Sequence, residues 1–526
     1  VSDGIPSEHP RYEPGKPQFK NEYIYQMVED YADQAARMQE LGFDMAYVHA
    51  AYRGLPIARF ISPLTNKRTD EFGGSLENRA RFLLMVCDRI KQKCGKDFLL
   101  EVCLSGEDPG TGGMTLQDTV ELVKLGEGHF DLVQLRSSEI DPAHPTGYNK
   151  EHIPYLYMSE ALKNAGIKTP VELIGGCFYP QECENVLAEG KADFIAMARS
   201  WISNPEYGKL VYEGRAEDIT PCIRCNKCHR PTPGQMWLST CSVNPEWGIE
   251  NRLSRLVAPV ERKKKVAIVG GGPAGMEAAL IAAKRGHAVT LYEMTNELGG
   301  QLKAGCMPSF KWPLKDYVDF MVRQVEKSNI KLVMNTKATK ELLARENYDE
   351  VIAAVGAEPI IPPIPGATGK NVVAAVNVYG HEEELEKDVV IIGGGEIGAE
   401  TGMHLAEKGH NVKLIEMRDE LAPDTAQEHF YSMFKEYADN TENFEYILGV
   451  TCTEITGNSV KYKDKSGNEH ELKAGSVVMA VGNKAKCSEA AALYNDGERV
   501  TMIGDCVKAG SLQRAIRSAY AAANQL

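Results

Sequence analysis

Between about Tyr23 and Gly214, stretches with helical spacing of apolar residues alternate with short, nearly continuous apolar runs. The pattern predicts helix Ile24–Leu41 then strand Met45–His49, helix Leu76–Lys93 then strand Phe98–Leu104, and helix Leu116–Gly126 then strand Leu132–Leu135. It continues with helix His152–Asn164 then strand Val171–Ile174, helix Pro180–Glu189 then strand Phe194–Met197, and a closing helix near Pro205–Tyr212. Strands that alternate with helices form a parallel sheet, and they are short and apolar because both faces are covered. A closed (β/α)8 barrel has eight strands. The predicted strands fall short of that, so the segment is either an open sheet or a barrel lacking three N-terminal βα units. The start at Val1 rather than Met favours the second.

From Val266 onward the pattern changes to an α/β fold with two glycine-rich turns. Strand Val266–Val269 runs into Gly270-Gly271-Gly272-Pro273-Ala274-Gly275, and strand Val389–Ile392 runs into Gly393-Gly394-Gly395-Glu396-Ile397-Gly398. Each is strand, G-x-G-x-x-G, helix. Gly270, Gly272, Gly275 and Gly393, Gly395, Gly398 permit the tight turn and bring backbone close to a pyrophosphate at the helix N-terminus. Glu293 ends strand Val289–Tyr292 and Glu416 follows strand Val412–Ile415, where a carboxylate accepts hydrogen bonds from ribose hydroxyls. One such motif is a weak signal; two in register with their acidic residues are strong. Glu416 repels a 2′-phosphate and favours NADH, while Arg418 keeps NADPH open. Near the C-terminus, Met502-Ile503-Gly504-Asp505 reads as a returning strand whose Asp505 faces a ribityl chain, so the second motif is an insertion within the first fold.

Between these halves lie Cys222, Cys225, Cys228 and Cys241, spaced C-x2-C-x2-C-x12-C in the loop-rich stretch Cys222–Pro245. Three thiolates from a compact loop and one from elsewhere suit a [4Fe–4S] cluster. Structural zinc usually pairs two separated C-x2-C knuckles, which makes it the rival reading. The basic run Arg262–Lys265 reads as a solvated hinge.

Composition narrows the classes. The 526 residues are 43% hydrophobic and 25% charged, which is that of a globular protein with three or four domains. A net charge of -14 argues against nucleic acid as main partner. No apolar run approaches the ~20 residues that span a bilayer, and Val1–Lys20 is polar and proline-rich, unlike a signal peptide. Thirteen cysteines without a leader point to a reducing, cytoplasmic compartment.

The segment Phe60-Ile61-Ser62-Pro63-Leu64-Thr65-Asn66-Lys67-Arg68-Thr69-Asp70-Glu71-Phe72-Gly73-Gly74-Ser75-Leu76-Glu77-Asn78-Arg79-Ala80-Arg81-Phe82 resembles the signature of Old Yellow Enzyme-type flavin barrels. With the cysteine loop and the double glycine motif, the whole chain is similar to the 2,4-dienoyl-CoA reductase / enoate reductase / trimethylamine dehydrogenase family. The resemblance implies an FMN-binding TIM barrel over residues 1–220, matched from its fourth strand onward, an iron–sulfur segment over 221–260, an FAD-binding domain over 261–376 and 484–526, and an NAD(P)H-binding domain over 377–483.

The resemblance also implies roles for particular residues. Gly175 and Gly176 after the seventh barrel strand, and Ala198 and Arg199 after the eighth, would hold the FMN phosphate. Gln301 would join the FAD site. His49 and Tyr52, at the end of the fourth strand, would donate hydrogen bonds to a substrate carbonyl, and Tyr52 would also supply a proton. Arg53 beside them would bind a substrate carboxylate or make an ion pair. Where the family often carries an arginine next to the flavin, this chain has Cys103; losing that charge should lower the flavin potential or shift the task to another group.

The resulting expectation is an NADH-dependent ene-reductase that passes electrons from NADH to FAD, the [4Fe–4S] cluster and FMN, then to the activated C=C bond of an enoyl thioester, enoate or enone. The same modules would also serve an amine dehydrogenase that delivers electrons to an external carrier, or a non-catalytic electron-transfer subunit. A small unsaturated carbonyl compound is the expected partner, and a homo-oligomer or an electron-transfer partner is open.

Overall fold

The computed structural model describes residues 19–139, 142–229, 240–425, 430–494 and 499–526. The polar start of the chain and residues 230–239 of the cysteine loop therefore lie outside the described residues. The chain divides into two compact units, one of residues 1–143 with 151–197, the other of residues 144–150 with 198–526.

The first unit is built on five parallel strands in chain order, Met45–Ala50, Leu99–Ser105, Leu132–Arg136, Val171–Ile174 and Phe194–Ala196. Helices Asn21–Glu40, Leu76–Cys94, Leu116–Gly126, Leu156–Asn164 and Pro180–Ala188 connect or precede them. Every predicted strand is present, with ends shifted by a residue or two. Helix Leu156–Asn164 starts later than expected, with Tyr155 at its N-cap in a non-helical conformation. Helix Pro56–Ile61 was not anticipated; it carries proline at its first turn and buries Ile57, Phe60 and Ile61. Ser75 caps helix Leu76–Cys94, and Thr115 and Asp118 form a reciprocal capping box on Leu116–Gly126, each cap worth about 1 kcal/mol.

The barrel signature acts as a structural clasp. Buried Asn66 donates from Nδ2 to the carbonyls of Phe60 and Phe72, at 2.6 and 2.7 Å, and Arg79 donates to Ile61 O at 2.8 Å. A Cβ on Gly73 would lie 2.2 Å from the Arg68 carbonyl oxygen, so the turn admits no side chain there.

The second unit carries two five-stranded parallel sheets of related design. One runs Arg499–Met502, Glu350–Ala353, Lys265–Val269, Ala288–Tyr292, Lys331–Val333. The other runs Val372–Ala374, Ser476–Met479, Asp388–Ile392, Asn411–Glu416, Phe444–Leu448. In each, the strand that feeds a glycine turn is central. The chain leaves the first sheet after Glu350–Ala353 and returns to it as Arg499–Met502, and the two crossings pair antiparallel as Ala357–Pro359 with Asn483–Ala485. The second sheet takes its edge strand from Val372–Ala374, ahead of residue 377, because that segment hydrogen-bonds Ser476–Met479. An antiparallel three-stranded sheet, Thr451–Ile455, Ser459–Lys463 and Glu469–Lys473, was not foreseen. The basic run is no free hinge: Arg262 pairs with Asp349 and Lys264 with Glu350, and Lys265 already opens a strand.

Candidate functional site

In the first unit the strand alternation sorts two faces. Val48, Ala50, Leu100, Val102, Leu104, Val133, Leu135 and Val171 belong to the buried apolar core. With a period of two, Tyr47, His49, Glu101, Cys103, Gln134, Arg136 and Glu172 turn to the opposite, inner face. There the Tyr47 hydroxyl donates to Gln134 Oε1 at 3.0 Å, and Gln134 Nε2 donates to Glu101 at 3.2 Å and to Glu172. Four neighbouring strands contribute one residue each. Burial, and then the Glu172 carboxyl beside it, push Glu101 well above the usual carboxylate range. None of this network was legible as chemistry, since a lone Glu, Gln or Tyr in an apolar strand carries no motif.

His49 and Tyr52 are brought together, with ring centroids 4.7 Å apart. The Arg136 guanidinium lies over the Tyr52 ring, 4.8 Å from its centroid. Burial pushes the Tyr52 phenol up to about 12, with Arg136 opposing the rise, so Tyr52 stays a hydrogen-bond donor throughout the physiological range. Burial likewise pushes the Cys103 thiol up to about 12, again opposed by Arg136. Arg53 pairs with Glu139, which is the ion-pair reading rather than a free carboxylate receptor. Gly175 and Gly176 both adopt left-handed backbone, φ 107° and 89°, and a Cβ on Gly175 would meet the Tyr155 ring at 2.5 Å.

In the second unit the two glycine turns repeat one construction. Gly270 and Gly393 have φ near 108° and lie against the carbonyls of Ala354 and Ala480, where a Cβ would sit at 2.4 and 2.5 Å. Gly275 and Gly398 hold helix against turn: their Cβ would meet Gly270 O at 1.8 Å and Gly393 O at 2.0 Å. Gly272 and Gly395 are different. They sit at the N-caps of helices Pro273–Lys284 and Glu396–Glu407 with space before them, the nearest atom to a Cβ being 3.9 Å away at Gly272 and none within 4 Å at Gly395. Open space before unsatisfied helix N–H groups is what a pyrophosphate requires.

The two acidic residues also match. Glu293 accepts from Gly271 N at 2.7 Å and from Thr295 N and Oγ1, both at 2.8 Å. Glu416 accepts from Gly394 N at 2.6 Å and from Arg418 N and Nε at 2.8 and 3.0 Å. Each carboxylate is thus partly used by its own chain, with lone-pair capacity left for a ribose hydroxyl. Arg418 is further tied to Asp424 at 2.9 Å. Gln301 donates to Ala357 O at 2.6 Å, Asp505 accepts from Gly510 N at 3.1 Å, and Gly504 (φ 66°) packs on Ala274.

One cavity of 1970 Å³ is lined by Gly270, Gly272, Glu293, Gln301, Asp505, Gly393, Gly395, Glu416 and Cys225. The glycine turns, both acidic residues and one cluster cysteine therefore share a continuous space, large enough for more than one nucleotide-sized ligand.

The cysteine loop is shaped by Arg224 and Asn226, which take left-handed backbone at φ 54° and 57° on either side of Cys225. Cys222 Sγ accepts from Arg224 N at 3.4 Å, and Cys225 Sγ lies 3.2 Å from Ser242 Oγ. Asn226 is buried, donates to His144 O at 3.0 Å, and accepts at 2.6 Å from Arg199, which also donates to Pro145 O at 2.7 Å. Arg199, expected at a phosphate, thus braces the cysteine loop with part of its guanidinium. Burial raises Cys225, Cys228 and Cys241, and neighbouring cluster thiols add to the rise, Cys228 reaching about 12. Like-charged thiolates crowd one another until a cation compensates them. Among the described residues no group of three or more His, Cys, Asp or Glu side chains closes around a metal position. The donor set itself, four thiols close together in the sequence, fits a soft metal centre. No helix of the described residues is long and apolar enough to cross a membrane.

Residues 7–218 match the NADH:flavin oxidoreductase / NADH oxidase family, and residues 264–525 match the pyridine nucleotide-disulphide oxidoreductase family. The chain is 33% identical to a bilirubin reductase of Mediterraneibacter gnavus and 35% identical to an NADH oxidase of Thermoanaerobacter brockii, covering 96% of itself in each case and 79% and 78% of those proteins. The structure superposes on that of a 2-naphthoyl-CoA reductase in complex with 2-naphthoyl-CoA with a TM-score of 0.91, at 31% identity, over 97% of this chain and 77% of the other. The chain belongs to the NADH:flavin oxidoreductase / NADH oxidase family, in the 2,4-dienoyl-CoA reductase type of fusion with a pyridine nucleotide-binding module. It is a flavin-dependent oxidoreductase that uses a nicotinamide nucleotide.

Proposed function

We propose that this protein is an NADH-dependent ene-reductase acting on the activated C=C bond of an unsaturated carbonyl compound. The observation that carries the reading is the shared cavity, in which two nucleotide-type turns and Cys225 meet. When bound, FMN, FAD, a [4Fe–4S] cluster and NADH supply hydride and single-electron transfer. The proposed holders are Gly175 and Gly176 for FMN, Gly270, Gly272, Gly275, Glu293, Gln301, Gly504 and Asp505 for FAD, Gly393, Gly395, Gly398 and Glu416 for NADH, and Cys222, Cys225, Cys228 and Cys241 for the cluster.

The chain's own contribution to chemistry rests on His49 and Tyr52. A protonated Tyr52 next to an imidazole donates hydrogen bonds to a carbonyl oxygen, draws electron density from the conjugated alkene and makes its β-carbon accept hydride. The reductases that this chain resembles act, by their names, on bilirubin and naphthoyl-CoA, both conjugated carbonyl compounds, which supports that substrate class. The test is an anaerobic NADH-oxidation screen across fatty enoyl thioesters, cinnamate-like acids, steroid enones and flavonoids. Rapid flavin bleaching by NADH, with turnover on one class, is expected. Bleaching by an amine and not by NADH would overturn the proposal.

A further inference from the structure

We propose that Arg136 is the cation this unit offers to the reduced FMN ring, supplied from the strand beside the one that carries Cys103. The inference rests on the FMN reading above. It starts from a charge with no carboxylate partner among the described residues. Arg53, Arg68 and Arg89 in the same unit each pair with a carboxylate, at Glu139, Asp70 and Glu29. Among the described residues Arg136 has no carboxylate, its Nε is buried without any hydrogen-bond partner, and its only hydrogen bond is a long one of 3.5 Å to Ala143 O. A half-buried guanidinium left so is costly unless an anion arrives.

The position says which anion. Arg136 ends strand Leu132–Arg136 in register with Ser105, and it turns to the inner face with His49 and Cys103. In a parallel α/β unit the ligand binds at such C-terminal strand ends. Of its neighbours there, the Tyr52 ring offsets the charge only in part through a cation–π contact and the Cys103 thiol carries no charge, and both feel the guanidinium. Reduced FMN carries a negative charge on its ring, and a fixed cation beside it stabilises the reduced over the oxidised form. A substrate carboxylate is the competing anion, and the two make different predictions: only the flavin role moves a potential in the absence of substrate.

The experiment measures the FMN and FAD midpoint potentials of the purified full chain by anaerobic spectroelectrochemistry, without substrate, for wild type, Arg136→Gln, Arg136→Lys and the Arg136→Gln/Cys103→Arg double variant. Arg136→Gln is expected to bind reduced FMN at least ~10-fold more weakly relative to oxidised FMN, a fall of about 30 mV per tenfold for a two-electron couple. Lysine, and arginine returned at position 103, are expected to restore most of it, with the FAD potential unchanged throughout. An FMN potential that is the same in Arg136→Gln and wild type overturns the inference. Should Arg136→Gln fail to fold, the double variant decides: FMN at or below the wild-type potential supports the inference, and a potential above wild type, a charge gained at position 103 with none lost at position 136, overturns it. Wild-type protein that binds no FMN defeats the flavin reading itself, which is a separate result.

Discussion

The second and third glycines of the second G-x-G-x-x-G turn should fail in opposite ways. Gly395 has no atom within 4 Å of where a Cβ would stand, while at Gly398 that Cβ would lie 2.0 Å from Gly393 O and 3.0 Å from Ala480 Cβ. Gly395→Ala adopts the existing backbone, φ -68°, without strain, and its folding cost is that of a poorer N-cap, below ~1 kcal/mol. The new methyl instead occupies space before the helix N-terminus, so NADH affinity should fall at least ~10-fold, or about 1.4 kcal/mol. Gly398→Ala gains about 1 kcal/mol of helix propensity but forces helix Glu396–Glu407 to move by about 1 Å, an overpacking cost of ~1–3 kcal/mol or more. Its net loss should appear as a lower melting temperature, by ~4–8 °C per kcal/mol for a domain of about 100 residues. The assays are anaerobic stopped-flow bleaching across a series of NADH concentrations, thermal unfolding by circular dichroism, and FAD content, which should not change because Gly272 is untouched. Unaltered NADH half-saturation in Gly395→Ala, together with unaltered melting in Gly398→Ala, would refute the assignment of one glycine to the ligand and the other to packing.

Three further outcomes are expected. Glu416→Ser removes the carboxylate that faces a 2′-phosphate and frees Arg418 from one of its two acidic partners, so kcat/KM for NADPH relative to NADH should rise ~10-fold or more; an unchanged ratio would place nucleotide selection elsewhere. Glu101 keeps its proton in the folded state to a higher pH than in the unfolded chain, so stability falls as pH rises from the unfolded pKa of ~4.3 towards the raised folded value. Glu101→Gln should therefore gain in melting temperature over wild type at pH 8 relative to pH 5, and parallel curves would contradict the buried-proton account. Cys225→Ser should lose bound iron and its broad visible absorbance while retaining FAD, as metal analysis would show; retained zinc in wild type would favour the rival metal.

Much of the candidate site was legible because its residues sit in local patterns. The turns Gly270–Gly275 and Gly393–Gly398 state their backbone requirement in consecutive residues, and the acidic residue follows one strand later. The cysteines announce themselves by spacing. Arg199 was legible only in part: its place after the last strand suggests a phosphate, and the fold adds that one guanidinium nitrogen holds Asn226 and Pro145 O. Arg136, Glu101, Gln134 and Glu172 were silent, since each is one polar residue in an apolar strand.

The sequence alone determined the order of strands and helices, the duplicated nucleotide-binding design and the family, because periodicity, glycine turns and cysteine spacing are short-range properties of the chain. Only the tertiary structure decided which polar side chains share the inner face, that both glycine turns open into one cavity, and that Arg136 lies on the same face as Cys103, one strand over. Those facts depend on the register between strands about thirty residues apart, Cys103 beside Gln134 and Ser105 beside Arg136, which a linear pattern does not specify.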